Sequence, residues 1–167
     1  MVEREIIVGL VIERLDPSSV WGEPIWLPRQ ALDGVPEAPP WTILSKGADR
    51  VSYFAGAFSI HLYSTETEYY RSNLMAERPR LWVVMRPDGP EPPVDIIAVT
   101  ADPTEGEGYT ETGTNVVEVI DIPPGLAAEI AAFVDEHHVE RVFEKRKRDK
   151  RPPQLGERRR PIDENRP

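Results

Sequence analysis

The stretch Ile6-Ile7-Val8-Gly9-Leu10-Val11-Ile12 is the longest apolar run in the chain and decides the reading of the fold. In an extended strand its alternate residues point to opposite faces, and both faces of this run are apolar. That pattern predicts a central strand covered on both sides. The run is far shorter than the ~20 residues of a membrane-spanning helix. The N-terminus also lacks the basic-then-apolar order of a signal peptide, so we expect no membrane span and a cytoplasmic protein.

The rest of the first 140 residues favours strands before helices. Strand signals recur in residues 24–32, 41–44, 51–62, 80–85, 94–100 and 115–122, with a hairpin expected around Lys46-Gly47-Ala48-Asp49. A first helix is expected to open at Ser64-Thr65, where Thr65 and Glu68 fit a capping box. A short turn is expected at Asp102-Pro103-Thr104-Glu105, with Asp102 as an N-cap residue and proline at the first helical position. This order predicts an α+β fold with a largely antiparallel sheet of about six strands and two main helices.

The second main helix is expected to begin after Pro123-Pro124-Gly125. Its apolar residues recur three and four positions apart, as they do on the buried face of an amphipathic helix. The stripe contains Leu126, Ile130, Phe133, Val134 and His137, and we predict that the first four of these face the sheet.

Charge divides the chain into two parts of opposite sign. The first 138 residues hold 9 basic and 23 acidic residues, a net charge of −14, whereas residues 139–167 hold 11 and 6, a net of +5. We predict an acidic domain, 1–142, and a basic, Pro-rich tail, 143–167, with too few apolar groups to order by itself. The residues expected to bind a partner are Lys145, Arg146, Lys147, Arg148, Lys150 and Arg151.

Several ligands suit a basic tail, and the sequence leaves them open. An acidic protein, nucleic acid and an anionic membrane surface all attract such a run. Nucleic acid is disfavoured because the body is acidic and lacks a basic face with interleaved aromatics. The tail could also stay solvated or fold back on the acidic body. We therefore expect a protein partner.

The chain has few residues suited to catalysis or metal binding. The chain has no cysteine, which excludes disulfides, Cys-ligated zinc, iron–sulfur clusters and thiol nucleophiles. His61 falls on the polar face of a predicted strand. His137 and His138 are adjacent, and side chains about 100° apart on a helix cannot easily share one ion. We expect no metal, no cofactor and no catalytic residue.

Two further groups have structural interpretations. Asp102, Glu105, Glu107 and Glu111 match neither a calcium loop nor a dinucleotide loop, and a solvated acidic loop is expected there. Three tryptophans close together in the sequence are expected to cover the core or a sheet edge, although an exposed pair would mark an interface. They are Trp21, Trp26 and Trp41.

Several segments together resemble one small family of uncharacterised bacterial proteins, known mainly from proteobacteria. These include Leu62-Tyr63-Ser64-Thr65-Glu66, Leu81-Trp82-Val83-Val84-Met85, Ile122-Pro123-Pro124-Gly125-Leu126 and Phe133-Val134-Asp135-Glu136-His137-His138. The similarity spans roughly residues 5–150. Members of that family are typically encoded beside molybdenum- or tungsten-dependent formate dehydrogenases and their accessory genes. No catalytic residues are established for the family, so none is transferred.

The resemblance implies a non-catalytic accessory protein that assists maturation or assembly of a molybdenum-dependent formate dehydrogenase. Its expected partners are the dehydrogenase or its maturation factors. Two alternatives stay open: an enzyme or carrier that acts on the molybdopterin cofactor, with the tail holding its phosphates, and a nucleic-acid-associated regulator.

Overall fold

The computed structural model describes residues 1–87 and 93–139, which form seven strands and three α-helices. The strands are β1 Glu3–Leu15, β2 Ile25–Leu32, β3 Thr42–Lys46, β4 Arg50–Tyr63, β5 Arg80–Arg86, β6 Asp95–Thr100 and β7 Val116–Asp121. The helices are α1 Thr67–Met75, α2 Pro103–Gly108 and α3 Pro124–His137, with 3₁₀ turns at Ser64–Glu66 and Tyr109–Thr112. None of the helices within these residues is long and apolar enough to cross a bilayer.

The strands form two antiparallel sheets with the orders β2-β1-β4-β3 and β6-β5-β7. The α+β class and the antiparallel pairing are confirmed. The strands number seven rather than about six, and they divide between two sheets rather than forming one. Alternation identifies a strand but does not name its neighbour, because pairing is set by contacts distant in sequence. The sheets approach each other where β2 lies beside β7 and β4 beside β6.

β1 is the central strand of the larger sheet. It pairs with β4 along its whole length, from Glu3 opposite Tyr63 to Leu15 opposite Arg50, and its second half also pairs with β2. One face is buried, through Ile6, Val8, Leu10 and Ile12. On the other face Ile7 is 55% exposed. The prediction that both faces of β1 are covered is therefore wrong at that position. No described element packs over the first half of this outer face.

The outer face of β1 ends in a buried carboxylate. Glu13 is 6% exposed and lies 3.2 Å from Arg29 Nε of β2 and 3.1 Å from Arg50 Nη1 of β4. A buried charge is tolerated only when it is paired, and here the two neighbouring strands each supply a cation. The ion pairs therefore join all three strands.

One hydrophobic core joins both sheets to α1 and α3. The predicted face of α3 is confirmed, since Leu126, Ile130, Phe133 and Val134 are all buried. Phe133 lies edge-on to Tyr70 of α1, with 6.4 Å between ring centroids, and the Arg4 guanidinium lies 5.2 Å above its ring. Arg4 also forms an ion pair with Glu136. Phe133 thus connects β1, α1 and α3.

The helix starts differ in how well the sequence predicts them. Asp102 caps α2 as expected, accepting from the N–H groups of Thr104 and Glu105. The capping box at Thr65 and Glu68 is wrong. A 3₁₀ turn continues directly from β4, and the Thr65 hydroxyl contacts Met1 Sδ and Glu66 instead.

The start of α3 is capped by a residue from a remote loop. Asp33, which follows β2, accepts hydrogen bonds from the N–H groups of Gly125 at 3.1 Å and Leu126 at 2.8 Å. A Cβ on Gly125 would lie only 2.8 Å from Asp33 Cγ. The glycine is therefore needed for the close approach that lets β2 hold the helix end.

Replacing Phe133 tests the core. We expect Phe133→Ala to lower the free energy of unfolding by about 3–5 kcal/mol, because truncating a buried aromatic leaves a cavity. The control is Met75→Ala, at a position that is 73% exposed, which should change stability by less than about 0.5 kcal/mol. Chemical denaturation measures both, and equal midpoints for the two variants would show that α3 is not docked as described.

Two glycines near α2 form a matched pair. A Cβ on Gly106 would lie 2.3 Å from Trp82 Cγ, whereas Gly108 has open space around it. Gly106→Ala should therefore destabilise the fold by about 1–3 kcal/mol through overpacking. Gly108→Ala should be neutral or stabilise it by up to about 1 kcal/mol, since alanine favours the helix. Thermal unfolding that shifts equally in both variants would contradict the packing of α2 on β5.

Candidate interaction surface

A groove lies where the described chain ends, between the start of α1 and the end of α3. We call it the exit groove. It has a volume of about 630 Å³ and is lined by residues 64–69, Arg71 and residues 137–139. The N-terminus is fastened beside it, because Val2 and Ser64 exchange two hydrogen bonds of 2.9 Å. Residues after Val139 therefore start from a fixed point on the body.

Hydrogen bonds hold His138 in the exit groove. Its Nδ1 lies 3.0 Å from Thr67 Oγ1, and its Nε2 lies 3.3 Å from Arg71 Nη1. Because arginine can only donate, Nε2 is the acceptor and the neutral ring donates from Nδ1 to the threonine. His138 thus fixes the end of α3 against α1.

His137 has different surroundings. Its ring packs on Phe133, with 4.6 Å between centroids, and its Nε2 lies 3.6 Å from Glu136. The two adjacent histidines contact different elements, but helical spacing is not the reason, because α3 ends at His137 and His138 has extended backbone. Residues 1–87 and 93–139 contain no group of three or more His, Cys, Asp or Glu that could hold a metal ion.

A second groove, the strand groove, runs between β4 and β6. It consists of two hollows of about 240 and 310 Å³. One hollow is bounded by Ser59, His61 and Tyr63 of β4 and residues 97–100 of β6. The other is bounded by residues 55–58 of β4 and residues 94–96. Each hollow thus follows a different part of the same two strands.

Carboxylates gather at the Tyr63 end of the strand groove. Glu3 lies 2.9 Å from His61 Nδ1, the Ser59 hydroxyl donates to Glu5, and Glu105 accepts a 2.9 Å bond from Thr100. Burial raises the pKa of Tyr63, and the negative charges of Glu3 and Glu105 raise it further. His61 is exposed, as predicted. Of these three carboxylates, only that of Glu105 lines the groove itself, because Glu3 and Glu5 belong to β1, on the other side of β4.

The buried phenol of Tyr70 lies against the last residue of β4. Its oxygen accepts the 3.0 Å hydrogen bond of the Tyr63 backbone N–H. Burial raises the pKa of Tyr70 to about 12, although the hydrogen bond from Tyr63 lowers it in part. The neutral phenol thus connects α1 to the last residue of β4.

Aromatic side chains cluster at the far end of the larger sheet. The rings of Trp26, Trp41 and Tyr53 have centroids 5.6–5.9 Å apart. Arg14 lies 6.0 Å above Trp26 and donates to the Tyr53 hydroxyl. Trp26 and Trp41 pack against the core as expected. The expectation is wrong for Trp21, which is 95% exposed in the loop before β2.

The prediction of a solvated acidic loop is wrong at one position. Asp102 is 6% exposed and caps α2, so its carboxylate is structural. Glu105, Glu107 and Glu111 are exposed. Glu105 and Glu107 lie in α2, and Glu111 lies in the following 3₁₀ turn.

Comparison with known proteins gives the chain a family. The model of the family described as "Protein of unknown function (DUF3305)" matches residues 7–147. The chain belongs to this family. No curated protein and no solved structure matches it.

The DUF3305 match extends past the described residues into the start of the basic tail. It includes Lys145, Arg146 and Lys147 but ends before Arg148, Lys150 and Arg151. All six predicted partner-binding residues lie outside the described residues, as does the predicted boundary at 142. The structure adds two features to this prediction: the position of Val139, after which the tail starts, and the strand groove. The strand groove depends on strand order, which no local sequence pattern reveals.

Tyr70 gives this region a testable pH dependence. Its pKa in the folded protein, about 12, exceeds the ordinary value of 10.0. Folding therefore favours the neutral phenol, and this contribution is complete below pH 10 and lost as the pH rises towards 12. Between these values wild-type stability should fall by about 1.4 kcal/mol per pH unit more than that of Tyr70→Phe.

The matched control is Tyr69→Phe, at a neighbouring position that is 41% exposed. This variant should keep the wild-type slope in denaturation measured from pH 9 to 11.5. A Tyr70→Phe slope equal to that of wild type would show that the phenol is not held as described.

Proposed function

We propose that this DUF3305 protein is a non-catalytic accessory protein that acts by binding another protein. The observation that carries the proposal is the reversal of charge between residues 1–138 and residues 139–167. A compact acidic body with a cationic tail is suited to long-range attraction of an acidic surface. In this proposal Lys145, Arg146, Lys147, Arg148, Lys150 and Arg151 form the contact.

The exit groove supports this arrangement. Val139 lies in it, held by the His138 contacts to Thr67 and Arg71. Lys145 is only six positions after Val139, a span of at most ~20 Å. A partner held by the basic residues would thus be kept close to the body.

The proposed partner is a molybdenum-dependent formate dehydrogenase or one of its maturation factors. This assignment rests on the resemblance of the sequence to proteins encoded beside such enzymes. The chemistry it requires is an acidic surface patch on the partner. Contacts of this kind between exposed charges weaken over a Debye length of ~8 Å at physiological ionic strength.

Two triple variants test the tail with the same change of charge. The first is Lys145→Gln, Arg146→Gln and Lys147→Gln, and its matched control is Arg158→Gln, Arg159→Gln and Arg160→Gln. Capture of partners from the native host should fall at least tenfold for the first variant, and more steeply with added salt, while the control should retain it. Neither should change the unfolding midpoint, and denaturation of both variants checks that a loss of capture is not a loss of folding.

Equal capture by wild type and both variants would remove the tail from the mechanism. Recovery of nuclease-sensitive nucleic acid instead of protein would favour the alternative function, a nucleic-acid-associated regulator. A rise in melting temperature with molybdopterin nucleotides, lost in the first variant alone, would favour a protein that handles the cofactor, because a ligand stabilises the state that binds it.

A further inference from the structure

β3 forms a free edge of the larger sheet. It pairs with β4 on one side, and no strand among the described residues pairs with its other side. Residues 43–46 are exposed, and two of them are apolar: Ile43 is 52% and Leu44 is 49% exposed. Exposed apolar side chains on an unpaired edge strand mark a site where another chain can associate.

The backbone of β3 is poorly suited to a continuous ladder with another strand. Its pairing with β4 is irregular at Leu44, between Ile43 and Ser45, and its last residue is Lys46. Bulges and lysines are features that hinder pairing along a sheet edge. A partner at this edge should therefore be held by side chains, with Ile43 and Leu44 at the centre of the contact.

The hairpin end of β3 presents an almost fully exposed tryptophan. The Asp16 N–H donates to the Asp49 C=O at 2.7 Å. The loop after β1 therefore lies beside the turn that joins β3 to β4. This loop carries Val20 and Trp21, which are 97% and 95% exposed. Because tryptophan is enriched among the residues that dominate protein interfaces, Trp21 is suited to anchor a partner.

The other end of β3 borders an apolar hollow. Pro40 and Trp41, just before β3, line the part of the strand groove that measures about 310 Å³. Phe58 and Ile96 line it too, and of its lining residues only Asp95 is charged. A volume of about 300 Å³ is the lower limit for pockets that bury small ligands, so one large apolar side chain would fill much of this hollow.

Charge permits a second copy of the chain to approach this part of the molecule. We call residues 13–29 and 41–53 the distal end, since paired strands bring them together. They hold 4 basic and 4 acidic residues, a net charge of zero, whereas the rest of residues 1–138 holds 5 and 19. Two copies repel each other through that acidic remainder. At the distal end they can meet without opposing net charges of the same sign.

A two-fold axis beside Leu44 makes the distal end self-complementary. A symmetric dimer uses one patch twice, so that each contact occurs in both directions. About this axis the two β3 strands run antiparallel, Leu44 lies beside its own counterpart, and Thr42 lies beside Lys46 of the other copy. No charged residue of β3 then faces a like charge. The hairpin end of each copy meets the Trp41 end of the other, where the hollow lies.

We propose that two copies of this chain associate about this axis, with Ile43 and Leu44 at the centre and Trp21 of each copy in the hollow beside Trp41 of the other. The inference goes beyond the proposed function, because it uses neither the basic tail nor an acidic partner. The exit groove follows Tyr63, at the opposite end of β4 from Arg50, so the dimer would leave the tail accessible.

Sedimentation equilibrium of the full-length protein tests this proposal. Wild type should form a dimer, and Leu44→Glu and Leu44→Lys should each be monomeric, because each places two like charges beside the axis. An equal mixture of the two variants should form the dimer again, since each carboxylate then faces an ammonium group. The matched controls Ile7→Glu and Ile7→Lys change a side chain that is 55% exposed on β1, and both should stay dimeric.

The proposed anchor has a test of its own. Trp21→Ala should raise the dissociation constant of the dimer about 30-fold, the loss typical of a residue that dominates an interface. Tyr69→Ala, at an aromatic position that is 41% exposed on α1, should leave the constant unchanged. Circular dichroism checks that every variant is folded.

A wild-type protein that stays monomeric at concentrations up to ~1 mM would overturn the proposal. A dimer that survives Leu44→Glu, or that the mixture of the two Leu44 variants does not restore, would also overturn it. So would loss of the dimer in the Ile7 variants to the same extent, because association would then not depend on the distal end.

Discussion

The structure depends on the antiparallel ladder between β1 and β4. This ladder joins 13 residue pairs from Glu3 opposite Tyr63 to Leu15 opposite Arg50. It presents one apolar face to the second sheet and to α1 and α3. β2 and β3 add to its two sides, and Asp33, just after β2, holds the start of α3. The remaining elements are thus positioned relative to this pair of strands.

The ladder also explains why the fold has an open groove. β1 pairs with the whole of β4. β3, however, is only 5 residues long and pairs only with the first part of β4. The bulge at Gly56 redirects β4 where this cover ends. The second half of β4 passes beside β6, with carboxylates nearby. It ends at Tyr63, next to the exit groove.

Local patterns predicted the parts of the fold that depend on nearby residues. The spacing of Leu126, Ile130 and Phe133 located the buried face of α3, and Asp102 before Pro103 located the cap of α2. Features made by distant residues could not be read in this way. Asp33 caps α3 from 92 positions away, and the division into two sheets depends on which strands pair. Thr65 and Glu68 matched a cap motif, but the 3₁₀ turn after β4 placed them differently. The strand groove was missed for the same reason, because the sequence predicts the two strands that border it but not that they lie beside each other.

The register between β1 and β4 tests the central claim most directly. The chain has no cysteine, so a pair of cysteines can be introduced without competing thiols. Ile7 lies opposite Ser59 in the ladder. Ile7→Cys with Ser59→Cys should therefore form a disulfide on mild oxidation, whereas Ile7→Cys with His61→Cys, two positions out of register, should not. Equal cross-linking of the two pairs would contradict the account.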